Sequence, residues 1–125
     1  MEVQKDPLTE LVIGAAIEVH RIMGPGLLES IYQRCMEEEL KLRHCPVEPQ
    51  YKIPLVYKSV PLGDDLEIDL YFPDRLVVEL KAVEKLHPVH EAQLLTYLRL
   101  SKTRVGLLIN FNVPVLVQGL KRMVL

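Results

Sequence analysis

The sequence predicts an α/β protein (α+β in some schemes) in which a mixed β-sheet is flanked by helices. Three observations carry this expectation. Apolar residues recur with helical spacing over the first third of the chain, alternate from Val47, and return to helical spacing after Pro88. A mostly apolar run from Arg104 to Asn110 follows, as for a strand buried on both faces. The resulting order is helix, helix, three strands in a meander, helix crossover, a central strand, and a final strand or pair.

Each element has a local reason. Asp6 is suited to the N-cap and Pro7 to the first helical position. Leu8, Val12, Ala15, Ala16 and Val19 then mark a helix over about 7–23, stopped by Gly24-Pro25-Gly26. A second helix is expected over about 27–43, with Leu28, Ile31, Cys35 and Leu42 as its apolar stripe. Tyr51, Ile53, Leu55 and Tyr57 alternate as in a strand, and Pro54 marks an edge position or a bulge. Gly63-Asp64-Asp65 reads as a turn. Leu66 to Lys81 reads as a hairpin turning at Pro73-Asp74-Arg75. Leu66, Ile68, Leu70 and Phe72 share one face of it, and Glu67, Asp69 and Tyr71 the other. A third helix runs from Pro88 to about Leu100, and Val115–Gln118 and Lys121–Leu125 are candidate closing strands.

Length and composition bound the class. A chain of 125 residues is expected to be one domain over 1–125. Hydrophobic content of 49% and charged content of 26% are globular values, which excludes a disordered chain. No apolar run approaches the ~20 residues of a membrane span. Met1 to Pro7 lacks a signal-peptide core, so a cytoplasmic location is expected. Cys35 and Cys45 match no zinc or redox spacing. A net charge of −2 argues against a broad basic surface while leaving room for a local groove.

Three stretches can carry chemistry. The hairpin can gather Asp69, Glu79 and Lys81, two hard oxygen ligands suited to Mg²⁺ or Mn²⁺ beside a cation that stabilises developing negative charge. A lone Glu-X-Lys triplet is more often a solvated strand face, but here both strands otherwise look like core strands. In Gly26-Leu-Leu-Glu29-Ser-Ile-Tyr32 the three named residues recur at helical spacing, and Glu29 fits either a helix-dipole role or a functional one. His90, Gln93 and Tyr97 share a stripe of the third helix beside the core residues Leu94, Leu95 and Leu98. Taken alone, that stripe reads as a boundary between core and solvent.

Together these motifs resemble the GxxExxY proteins, a family placed in the PD-(D/E)XK nuclease superfamily. The resemblance rests on Gly26-Leu-Leu-Glu29-Ser-Ile-Tyr32, Glu79-Leu-Lys81, His90-Glu-Ala-Gln93-Leu-Leu-Thr-Tyr97 and Gly106 to Asn112, and covers nearly the whole chain. It implies a restriction-endonuclease-like core. It implies that Asp69 and Glu79 bind Mg²⁺ (or Mn²⁺), that Glu29 completes the metal site, and that Lys81, Gln93 and Tyr97 are catalytic. The implied activity is hydrolysis of nucleic acid, DNA first, by metal-activated water, with a homodimer or partner protein for specificity. The alternative is a non-catalytic nucleic-acid- or protein-binding module on a retained nuclease fold. Glu67 is the one acid on the metal face that this chemistry does not use.

Overall fold

A computed structural model of the chain describes residues 6–125; the reading of the Met1–Lys5 stretch lies outside them. Helix α1 spans Pro7–Met23. Asp6 caps it through Oδ1, which accepts from the Leu8 N–H at 3.2 Å. The five expected apolar residues of α1 are all buried.

Helix α2 spans Glu29–Leu42, starting two residues later than expected. Gly24 and Gly26 sit at φ 74° and 95°, which holds the chain outside helical geometry until Leu28. Its buried row is Tyr32, Met36 and Leu40 together with Gln33. The expected stripe is therefore corrected: Leu28 is 73% exposed and Leu42 66%. Leu28 precedes the helix as its cap. The largest side chain, Tyr32, fixes the buried i, i+4, i+8 row instead.

The strands are β1 (Glu48–Tyr57), β2 (Val60–Phe72), β3 (Leu76–Lys81), β4 (Val105–Asn110) and β5 (Leu120–Val124). Helix α3, Pro88–Ser101, lies between β3 and β4. The strands form one mixed sheet in the order β1-β2-β3-β4-β5. Only β3 and β4 pair in parallel, joined by the α3 crossover. The middle strand is β3 rather than β4.

Two further expectations are corrected. The turn at Gly63-Asp64-Asp65 is a bulge inside β2, between the pairs Val56↔Pro61 and Pro54↔Asp65. The chain reverses at Lys58-Ser59, both at positive φ (47° and 68°), the geometry of a two-residue hairpin loop. Pro54 lies on the edge strand beside the bulge, where its missing N–H does no harm. The expected strand Val115–Gln118 is displaced by a 3₁₀ turn over Leu116–Gly119. Gly119 there packs against the Asn110 carbonyl so closely that a Cβ would lie 2.1 Å from it. The chain thus folds over the end of β4 before β5 can pair.

The sheet is buried on both faces. Helices α1 and α2 cover one with Leu70, Phe72, Leu76, Val78, Leu80, Leu107 and Ile109. Helix α3 covers the other through Leu94 and Leu98, packed on Ile68, Tyr71, Val77 and Leu108. Ile68 thus departs from the expected alternation, lying under α3 while Leu70 and Phe72 lie under α1 and α2. The break falls at the residue between them, Asp69.

Candidate active site

The ladder between β2 and β3 covers only Leu70↔Val78, Tyr71↔Val77 and Phe72↔Leu76. Beyond it, side chains replace the backbone bonds. Glu79 Oε2 accepts from the Asp69 N–H at 2.9 Å. Asp69 Oδ2 accepts from the Leu80 N–H at 2.8 Å. Each carboxylate latches the other strand's backbone, which fixes the two acids side by side where the strands part. The second oxygen of each accepts no hydrogen bond from a described residue, and neither acid forms an ion pair among them.

Such a pair is electrostatically uncomfortable. Burial drives the Glu79 pKa up to about 8, and the neighbouring Asp69 charge adds to this. Burial raises Asp69 to about 6, with Glu29 and Glu67 contributing, while the Leu80 N–H and Lys81 oppose the rise. Both acids then bind protons more tightly folded than unfolded. Their contribution to stability is full below the ordinary carboxylate range and is lost as pH rises toward 8. Thermal melts in chelator are expected to show this decline, and it is expected to be smaller in Glu79→Gln, where only the Asp69 part remains.

On the α3 side, Lys81 shares β3 parity with Glu79 and is half-buried. Its Nζ donates to Gln93 Oε1 at 3.3 Å, which turns the ammonium toward α3. Tyr97, one turn beyond Gln93, has its pKa raised by burial and then by the charges of Glu79, Asp69 and Glu67. Asp69, Glu79, Lys81, Gln93 and Tyr97 are therefore brought into one neighbourhood. His90, from the same helical stripe, is not: its Nδ1 accepts from the His87 N–H at 2.9 Å and caps α3.

On the α2 side, the Gly-x-x-Glu-x-x-Tyr stretch divides its labour. Gly26 supplies a left-handed bend ahead of the helix rather than a position on it. Tyr32 is fully buried and stacks on Phe111, with ring centroids 4.4 Å apart. Its hydroxyl donates to the Gly24 carbonyl at 2.6 Å and accepts from the Leu27 N–H at 3.1 Å. The tyrosine thus pins the loop that delivers Glu29, the first residue of α2. Tyr32→Phe is expected to lose about 1–3 kcal/mol of stability, read by urea unfolding, because two loop groups lose their partner.

Glu29 itself is exposed. It lines an open cleft of about 360 Å³ together with Ser30, Gln33, Arg34, Gln50 and Asp69. Among the described residues no three His, Cys, Asp or Glu side chains cluster tightly enough to hold a metal ion. The pair Asp69–Glu79 is assembled, and Glu29, the first residue of α2, lines the same cleft as Asp69.

Sequence reasoning missed two residues. Gln33 is 7% exposed and donates to the Asp69 carbonyl at 2.8 Å. Asn110 is 2% exposed and grips the chain just past Lys81: it accepts from the Val83 N–H and donates to the Val83 carbonyl, at 3.0 and 2.9 Å. Asn110 stands between the apolar Ile109 and Phe111, which was the one signal in the sequence; Gln33 carried none. His20, near the end of α1, meets the Val113 carbonyl through Nε2 at 2.8 Å. Glu67 is exposed and lies opposite Lys52 in the β1–β2 register, a favourable cross-strand charge pair.

A mixed sheet between helices, with a carboxylate on each of two parting strands and a lysine two residues on, is the restriction-endonuclease-like α/β architecture. Residues 6–123 match the PD-(D/E)XK nuclease superfamily, and the chain belongs to it. No curated protein and no solved structure matches the chain. No helix among the described residues is long and apolar enough to cross a membrane.

Proposed function

We propose that the chain is a metal-dependent nuclease of the GxxExxY kind that hydrolyses phosphodiester bonds in nucleic acid, DNA first. The reciprocal latch between Asp69 and Glu79 carries this reading. Two acids whose pKa values burial raises, that of Glu79 further by the Asp69 charge, each with an oxygen that accepts no hydrogen bond from a described residue, form a donor set that suits a hard divalent cation. In this reading Asp69, Glu79 and Glu29 hold Mg²⁺ or Mn²⁺. The bound ion supplies an activated water and a Lewis acid for the phosphate.

The chain's own groups do the rest. Lys81, held by Gln93 at 3.3 Å, sets a fixed positive charge beside the acids, where a phosphate gains negative charge. Gln93 accepts from Lys81 through its oxygen, and its amide nitrogen, which donates to no described residue, can donate to a phosphate oxygen. Tyr97, its pKa raised, stays neutral and offers a hydroxyl donor. The chain acts as one catalytic domain in the cytoplasm, and a second copy or partner protein adds specificity.

The test is cleavage of single- and double-stranded DNA and of RNA by purified protein with Mg²⁺, Mn²⁺ or chelator. Metal-dependent hydrolysis is expected on DNA. Binding without hydrolysis in every metal favours the non-catalytic module instead.

A further inference from the structure

Asp69 has three tethers, and one comes from outside the sheet. Glu79 takes its N–H, the Leu80 N–H takes its carboxylate, and Gln33 takes its carbonyl. Gln33 sits in the first half of α2 and is nearly inaccessible to solvent. Its amide nitrogen donates to the Asp69 carbonyl at 2.8 Å and to Glu37 Oε2 at 2.9 Å. With both amide protons committed, the group has one orientation.

Glu29, Gln33 and Glu37 recur four apart and lie on one row of the helix. All three line the cleft that also receives Asp69. The rest of the buried row, Tyr32, Met36 and Leu40, holds α2 to the core largely by apolar contact. Such contact is non-directional and does not set where along its axis a helix rests. A slip of one residue moves a helix by about 1.5 Å, whereas metal ligands must be placed to about 0.2 Å. The bond from Gln33 to Asp69 is a directional contact from α2 to β2, the strand that carries Asp69, one turn from Glu29.

We propose that Gln33 is a positioning residue: by holding the Asp69 carbonyl it sets the reach of Glu29 toward the Asp69–Glu79 pair and so sets the affinity for a divalent cation. Gln33 itself touches no metal. The inference rests on the reading of this site as a metal centre.

Calorimetric titration of the full chain with Mn²⁺ tests it, on wild type, Gln33→Met, Glu29→Gln and the double variant. Gln33→Met keeps the size and removes the donor, and is expected to weaken binding about 10–100-fold. Glu29→Gln is expected to weaken it as well. The double variant is expected to bind no more weakly than Glu29→Gln alone, because Gln33 acts through Glu29. A general structural role would weaken both backgrounds by the same factor, and that result overturns the proposal. Unchanged affinity in Gln33→Met overturns it too.

Should Gln33→Met fail to fold, Glu37→Ala loosens the same amide from the half-buried side. It is expected to weaken Mn²⁺ binding in the wild-type background and not beside Glu29→Gln; equal affinity rejects the proposal. A wild type that binds no Mn²⁺ removes the metal reading and this inference together. Wild-type binding that ignores Gln33 removes the inference alone.

Discussion

Glu79→Gln is expected to reduce metal-dependent cleavage by about 10²–10³-fold while making the metal-free protein more stable at pH 8. The two effects share a cause. The substitution keeps the shape, and the new amide oxygen still accepts from the Asp69 N–H, so the latch between β2 and β3 survives. What disappears is a buried charge beside another acid. Burial and Asp69 hold the Glu79 pKa near 8, so wild type at that pH pays for ionising it and Gln does not. Below the ordinary carboxylate range the two proteins converge, because wild type is then protonated. Thermal melts in chelator at pH 5 and pH 8, with Mg²⁺-dependent rates beside them, check this. Retained cleavage, or a variant less stable than wild type at pH 8, counts against the site.

Lys81→Met is expected to lower kcat by about 10²–10⁴-fold without weakening metal binding. Lys81 opposes the rise in both acids' pKa values, so its positive charge is felt by each of them. Removing it makes the site more negative and more attractive to a cation, while the phosphate loses its fixed positive neighbour. The two substitutions therefore have opposite signatures. Glu79→Gln loses metal and gains stability, whereas Lys81→Met keeps metal and loses turnover. Calorimetry with Mn²⁺ beside single-turnover kinetics separates them, and a parallel fall of affinity and rate in Lys81→Met assigns the lysine a different role.

Much of the fold was legible because apolar periodicity dominates it. Helix α1 follows from Asp6-Pro7 and five apolar positions, and α3 from Pro88 and Leu94. Strand β4 follows from an uninterrupted apolar run. The misreadings fall where distant contacts override local pattern. Gly63 looks like a turn residue but serves a bulge, because the real reversal is held by two ordinary residues at positive φ. Val115 to Gln118 has strand-like composition, yet the end of β4 bends it into a 3₁₀ turn. Ile68 follows perfect alternation in sequence and breaks it in space, because the strand resets its faces at Asp69. The gathering of Asp69, Glu79 and Lys81 was foreseeable from residue types and spacing, whereas Gln93 and Tyr97 joined them only through the family resemblance. Gln33 was not foreseeable, since its partner is a backbone carbonyl 36 positions away that no sequence pattern marks.

The latch at the parting of β2 and β3 has a spectroscopic consequence. Two backbone amides, Asp69 and Leu80, end on carboxylate oxygens instead of carbonyls. Their proton and nitrogen resonances therefore respond directly to whatever sits on those acids: a proton, a cation, or nothing. In an amide correlation spectrum these two peaks form a label-free gauge of the site. Each reads a different acid, so occupancy of Glu79 and of Asp69 can be followed separately in one titration, with no substrate present.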